Sequence, residues 1–257
     1  MAEDETAKIL KDMNERGFPL EVTTSELIKT HGWEVTNQAA FSDAEKGTNR
    51  TIDLVAEKSI ISKATMGFDI WLIIECKRVT KPWVFYTSDL KLTNEEIHRK
   101  IVSSTQFAIN DATYRRKLDT ILPPLIINNF IFDNKLAPPI FGKLAYSSFE
   151  PFTNGKKLSI HKARMQLCNA ILYFEKAVIQ DRMLDLPYGI LFVPIIVLDG
   201  RLYTYENNRL SPATGLYYHV TYHSYGFMIE IVTADFLASY LKNIEVIITN
   251  FQNSHRD

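Results

Sequence analysis

The run Ile70-Trp71-Leu72-Ile73-Ile74-Glu75-Cys76-Lys77 turns from continuously apolar to charged within its last three residues. Its Ile and Trp content, with Pro82 downstream, predicts a strand buried in a sheet and emerging at the sheet's end. Side chains alternate along a strand, so Glu75 and Lys77 share one face while Cys76 takes the other. The carboxylate and the ammonium then stand roughly 6 to 7 Å apart on one strand, close enough to serve a common reactive centre.

Upstream, Arg50-Thr51-Ile52-Asp53-Leu54-Val55-Ala56 reads as a neighbouring strand. A polar turn over 42–49, containing Gly47, joins it antiparallel to a strand from Trp33 to Phe41. Asp53 interrupts the apolar residues, and a buried carboxylate needs a cation or donors beside it. Before these strands, Ile9, Leu10 and Met13 predict a short helix over 5–16 that ends at Gly17. Pro19 opens a second helix through Thr30, with Leu20, Leu27 and Ile28 on its apolar stripe. Glu21 lies at the edge of that stripe and reaches the sheet, whereas Glu26 projects away from it.

Downstream, Thr93 and Glu96 have capping-box spacing, and Ile97, Ile101, Thr105 and Ala108 predict a helix toward Lys117. Residues 119–157, where Pro and Asn cluster around short apolar runs, read as an irregular insertion. Leu167, Ile171, Phe174 and Val178 form the buried stripe of a helix over 161–183 that covers the sheet. A strand from Tyr188 to Leu198 is followed by Asp199-Gly200, a hairpin signal into 201–205. A strand over Phe227 to Val232, a short helix behind Thr233 and an edge strand over Glu245 to Thr249 complete the chain. The expectation is a single α/β domain over 1–257, a mixed central sheet flanked by helices, with 119–157 inserted.

The 257 residues, 46% of them hydrophobic, suffice for a substantial core and exclude a disordered chain. Cys76 and Cys168 are the two cysteines, too few for a disulfide framework or a cysteine-based zinc site. The acidic start Met1-Ala2-Glu3-Asp4-Glu5 and the lack of an apolar run near the roughly 20 residues that span a bilayer predict a cytoplasmic protein without a membrane partner. The formal charge of -1 gives the whole molecule no basic character, so any polyanion must be held by local clusters. His98-Arg99-Lys100, Arg115-Arg116-Lys117 and the basic residues over 156–164 are candidates, each also readable as a solvated face. Trp83, Phe85 and Tyr86 read either as core or as base-stacking residues.

Two carboxylates converging on one point suit a hard divalent cation such as Mg²⁺, with Mn²⁺ as substitute, and the backbone carbonyl of Cys76 is a further oxygen donor. Such an ion polarises a phosphodiester oxygen and activates water, while Lys77 stabilises negative charge in the transition state. In order and spacing, these residues resemble the PD-(D/E)xK nuclease superfamily. Asp53 matches its first acid, Glu75 its second and Lys77 its lysine; Ile52 stands where the motif has Pro. The approach Gly17-Phe18-Pro19-Leu20-Glu21 and Gly32-Trp33-Glu34-Val35 is similar to the restriction-endonuclease-like and Holliday-junction-resolvase-like branch, in which Glu21 matches a site residue on the first helix. The likeness covers about residues 17–83 and, loosely, Met165-Gln166-Leu167.

The resemblance implies a restriction-endonuclease-like core and a Mg²⁺-dependent DNA endonuclease of restriction or repair type. Its catalytic residues would be Asp53, Glu75, Lys77 and Glu21, and its metal ligands Asp53, Glu75, the Cys76 carbonyl and Glu21. The alternative is a catalytically silent nuclease-fold module that binds nucleic acid or a protein. A homodimer paired through strand edges after Asp199-Gly200 and near Glu245–Thr249 is also expected.

Overall fold

The computed structural model describes residues 2–15, 18–43, 47–61, 67–89, 106–109, 140–152, 159–180, 188–223 and 225–254. The basic clusters at 98–100 and 115–117 and most of the inserted stretch lie outside these residues. Helices α1 (Ala2–Glu15) and α2 (Phe18–Thr30) precede strands β1 (Glu34–Asp43), β2 (Thr48–Ile61), β3 (Gly67–Arg78), β4 (Trp83–Asp89), β5 (Gln106–Ile109) and β6 (Lys143–Phe149). Helix α3 (Ser159–Gln180) leads to β7 (Tyr188–Asp199), β8 (Leu202–Glu206), β9 (Arg209–Pro212), β10 (Gly215–Tyr222) and β11 (Tyr225–Thr233). A short 3₁₀ turn (Ala234–Phe236) and α4 (Leu237–Ser254) follow.

The fold is α/β, with one mixed sheet in the order β1-β2-β3-β7-β11-β10-β6-β4-β8-β9 and β5 on β7. Each face has its own core. Leu54, Ile70, Leu72 and Ile74 meet Leu20 and Ile28 of α2 and Tyr240, Leu241 and Ile244 of α4. Ile52, Val55, Ile73 and Ile196 meet Ala163, Leu167 and Ile171 of α3, as that helix's sequence stripe predicts. Trp83 and Phe85 are fully buried and belong to the core. Among the described residues no helix is long and apolar enough to cross a membrane.

Four local readings differ from the structure. Gln106–Ile109, read as helical, is a strand on β7 from Gly189 to Phe192. β11 covers the other end of β7, from Ile195 to Leu198, so the open backbone of β7 recruits β5 against its local periodicity. Lys143–Phe149, within the stretch read as an irregular insertion, is a strand between β10 and β4. Glu245–Thr249 is part of α4 rather than an edge strand. Burying Tyr240, Leu241, Ile244, Ile247 and Ile248 on one side yields about 1.5 to 3 kcal/mol for each large aliphatic residue, more than the roughly 1 kcal/mol span of strand preference. That segment therefore offers no edge for a dimer, and β9, one end of the sheet, has only four residues including Pro212.

Asp199-Gly200 is a bend, not a hairpin. The parallel pair β3–β7 ends at Arg78↔Asp199 and resumes as the parallel pair β4–β8 at Trp83↔Leu202. Val79 N–H donates to the Asp199 carbonyl and Trp83 N–H to that of Arg201, both at 2.9 Å, carrying the ladder through the corner. A Cβ at Gly200 would stand 2.5 Å from Val79 Cγ2 and 2.9 Å from the Val79 carbonyl oxygen. Gly200→Ala therefore destabilises the protein by about 1 to 3 kcal/mol, read as a lower urea midpoint at unchanged slope.

Between the sheet and α4, Glu230 and Tyr240 line a cavity of about 40 Å³ together with Ile70, Leu72 and Ile244. Glu230 Oε2 and the Tyr240 hydroxyl are both buried and face one another. Burial pushes the Glu230 carboxyl up to about 7, against the lowering effect of Tyr240. The folded protein thus holds a proton that the unfolded chain has lost, and the associated stability, complete below about pH 4.5, disappears as the pH rises through 7. Glu230→Gln removes that dependence. Its stability relative to the parent rises by on the order of 3 kcal/mol between about pH 4.5 and pH 8, measured by chemical denaturation across pH.

Candidate active site

Glu75, Cys76 and Lys77 stand where β3 leaves its β2 neighbour, since the last β2–β3 pair toward that end is Leu54↔Ile74. Beyond it the Cys76 N–H has no strand partner on β2 and donates instead to Asp53 Oδ2 at 2.7 Å. The N–H and C=O of one extended residue lie on the same edge of its strand, so the Cys76 carbonyl also faces the β2 side. Lys77 Nζ contacts Glu75 Oε1 and lies 4.0 Å from Asp53 Oδ2, placing the ammonium between two acids. Glu75 is 1% exposed, and its Oε2 has no hydrogen-bond partner.

Glu21 approaches from α2, which is anchored beside β3 by Leu20, Thr24 and Ile28. It interacts electrostatically with Asp53, Lys77 and Glu75. The four residues singled out in the sequence are therefore one charged constellation. Cys76 turns its buried thiol to the other side, where burial raises its pKa.

Burial dominates the protonation of the acids. It pushes the Glu75 carboxyl up to about 8 despite the pull of Lys77, with Asp53 and Glu21 adding to the rise. Asp53 is raised by burial against the opposing effects of Lys77 and the Cys76 N–H. Glu21 is raised by burial and by Asp53, and is drawn back by Gln38 and Lys77. For Lys77, burial works against the ammonium, but Glu75 and Asp53 outweigh it and hold its pKa above the ordinary value.

Among the described residues, no three His, Cys, Asp or Glu side chains form a ready-made metal cage. Mg²⁺ seldom uses one: it is commonly held by one or two carboxylates, with water and substrate phosphate completing its shell. Asp53 and Glu75 supply that minimum, and the orphaned Glu75 Oε2 is a buried carboxyl oxygen with no donor competing for it. The residues present fit a hard divalent cation.

Two contributors escaped the sequence reading. Gln38 on β1 donates from Nε2 to Glu21 Oε2 at 2.7 Å, and Thr51 Oγ1 donates to Gln38 Oε1 at 3.0 Å. Gln166 on α3 in turn donates to the Thr51 carbonyl at 2.7 Å. A glutamine and a threonine on exposed strand positions carry no sequence signal of such a role. No family model, curated protein or solved structure matches the chain.

Because the Glu75 carboxyl is pushed up to about 8, a divalent cation binding there displaces a proton. Calorimetry with Mn²⁺ should show affinity rising from about pH 6 to pH 8.5, with proton release revealed by buffers of different ionisation enthalpy. Asp53→Asn, which keeps the shape and removes a charge, should weaken Mn²⁺ binding by roughly tenfold or more.

Proposed function

We propose that this chain is a divalent-cation-dependent endonuclease that hydrolyses DNA phosphodiester bonds, built on a restriction-endonuclease-like core of the PD-(D/E)xK type. The observation that carries this reading is the buried end of β3, where Asp53 and Glu75 flank Lys77 and Glu75 Oε2 lacks a donor. Support also comes from the arrangement around it: an antiparallel β1–β2–β3 unit with α2 on one side and α3 on the other.

Asp53, Glu75 and the Cys76 carbonyl would hold Mg²⁺, or Mn²⁺ in its place, with Glu21 at the margin. When bound, the ion supplies Lewis-acid polarisation of the phosphate and an activated water nucleophile. Asp53 is kept in place by the Cys76 N–H, so its carboxylate is oriented before anything binds. Lys77, freed from Glu75, places a positive charge where the phosphorane oxygens gain negative charge. Its neighbours hold it protonated, so it acts as an electrostatic stabiliser and a hydrogen-bond donor rather than as a base. The acidic constellation sits in a molecule of formal charge -1, so positive charge from the cation is needed for a polyanion to approach this point.

The test is cleavage of single-stranded, duplex, branched and modified DNA with Mg²⁺ or Mn²⁺, alongside divalent-ion calorimetry. Failure to cut any substrate or bind either ion would sink the endonuclease reading and favour a silent nuclease-fold module. For an active enzyme, Lys77→Ala should lower the cleavage rate by on the order of 10² or more. The same variant should bind Mn²⁺ at least as well as the parent, because it removes a competing cation and no ligand.

A further inference from the structure

Gln38 has a left-handed backbone, φ 52°, in the middle of β1. A non-glycine residue there is strained, and such strain persists where the surroundings impose it, often at functional sites. The β1–β2 register steps from Asn37↔Leu54 to Ala39↔Ile52, leaving Gln38 opposite Asp53 outside the ladder. The alternation of faces is reset at this point. Val35 and Leu54 belong to the core beneath α2 and α4, whereas Ala39 and Ile52 belong to the core beneath α3.

The irregularity therefore lies beside the first acid of the site, and the Gln38 side chain is committed at both ends. Thr51 Oγ1 occupies the amide oxygen, which orients the amide nitrogen toward Glu21 Oε2. Thr51 is itself tied to α3 through its carbonyl and Gln166. Glu21 has no other side-chain hydrogen bond among those of the described residues, and it lies within electrostatic reach of Asp53, whose charge opposes its own. Without the amide, a carboxylate on an exposed helix edge would turn toward water.

We propose that Gln38 is a positioning residue: its left-handed backbone and the Thr51 hydrogen bond fix an amide that holds Glu21 at the margin of the site, within electrostatic reach of Asp53 and Lys77, so that its charge adds to the field of a divalent cation held by Asp53 and Glu75. The proposal rests on the endonuclease reading for what the site binds, but not for the clamp itself. It also assigns a purpose to the broken β1–β2 ladder, because an extended residue at position 38 would follow the regular alternation and would not turn its amide to α2.

The test uses the full chain with Gln38→Gly, Gln38→Asn and Glu21→Ala, read by Mn²⁺ calorimetry and by chemical denaturation. Glycine accepts the left-handed backbone without strain and asparagine tolerates it, but the first has no amide and the second is one methylene too short. Both should keep or exceed the parent's stability, yet bind Mn²⁺ about tenfold more weakly, as when an outer partner of a metal site is lost. In the Glu21→Ala background, Gln38→Gly should cause no further loss of affinity. A Gln38→Gly protein that binds Mn²⁺ like the parent would overturn the proposal while leaving the endonuclease reading in place, as would full additivity of the two substitutions. A parent that binds no divalent ion would remove the endonuclease reading and the role at the cation site together.

Discussion

The Glu75–Lys77 contact, with Asp53 beside it, is the constraint to which this end of the molecule is fitted. Removing a carboxylate or an ammonium from water costs several kcal/mol even after relaxation, and their mutual attraction offsets this only with good geometry and extra hydrogen bonds. The structure meets the requirement in part. Lys77 reaches both acids and the Cys76 N–H serves Asp53, but Glu75 Oε2 is left unsatisfied. Buried polar atoms are nearly always paired, so an orphan amid this concentration of charge marks a place that stability alone does not explain.

The geometry follows from how strands end. The β2–β3 ladder stops at Leu54↔Ile74, which frees the Cys76 amide to turn to a side chain. On its other edge β3 stays paired with β7 as far as Arg78↔Asp199, so Lys77 is held to the sheet along one side only. The paired strands then turn together at Val79 and Gly200 before the chain becomes core again at Trp83 and Leu202. The charged residues thus occupy the margin between two apolar regions. There they are desolvated enough to interact strongly while Lys77 keeps partial exposure.

Helices α2 and α3 approach this margin from opposite faces, and polar contacts knit them across the sheet through Glu21, Gln38, Thr51 and Gln166. Each of these hydrogen bonds is worth only about 1 kcal/mol net, too little to shape the fold. The two apolar cores set where the helices lie, and the polar chain decides how side chains at their borders point. That division explains how a residue with strained backbone, Gln38, is tolerated: the packing on both faces over-determines the strand that carries it.

The sequence by itself determined the β1–β2–β3 unit, α2 and α3, and the location of Asp53, Glu75 and Lys77, because each is written in local periodicity or in a charge interrupting an apolar run. Glu21 was legible too, from its place at the edge of a helical stripe. Only the tertiary structure decided that Gln106–Ile109 and Lys143–Phe149 are strands, that Asp199-Gly200 is a corner and that Glu245–Thr249 is helical. In each case the outcome depends on a distant partner: the open edges of β7, β10 and β4, the side chain of Val79, or the apolar floor beneath α4. The part of Gln38 is of the same kind. Its neighbours in the chain give no sign of it, because its hydrogen bonds to Thr51 and Glu21 and the two packed cores that tolerate its left-handed backbone come together only when the sheet has formed.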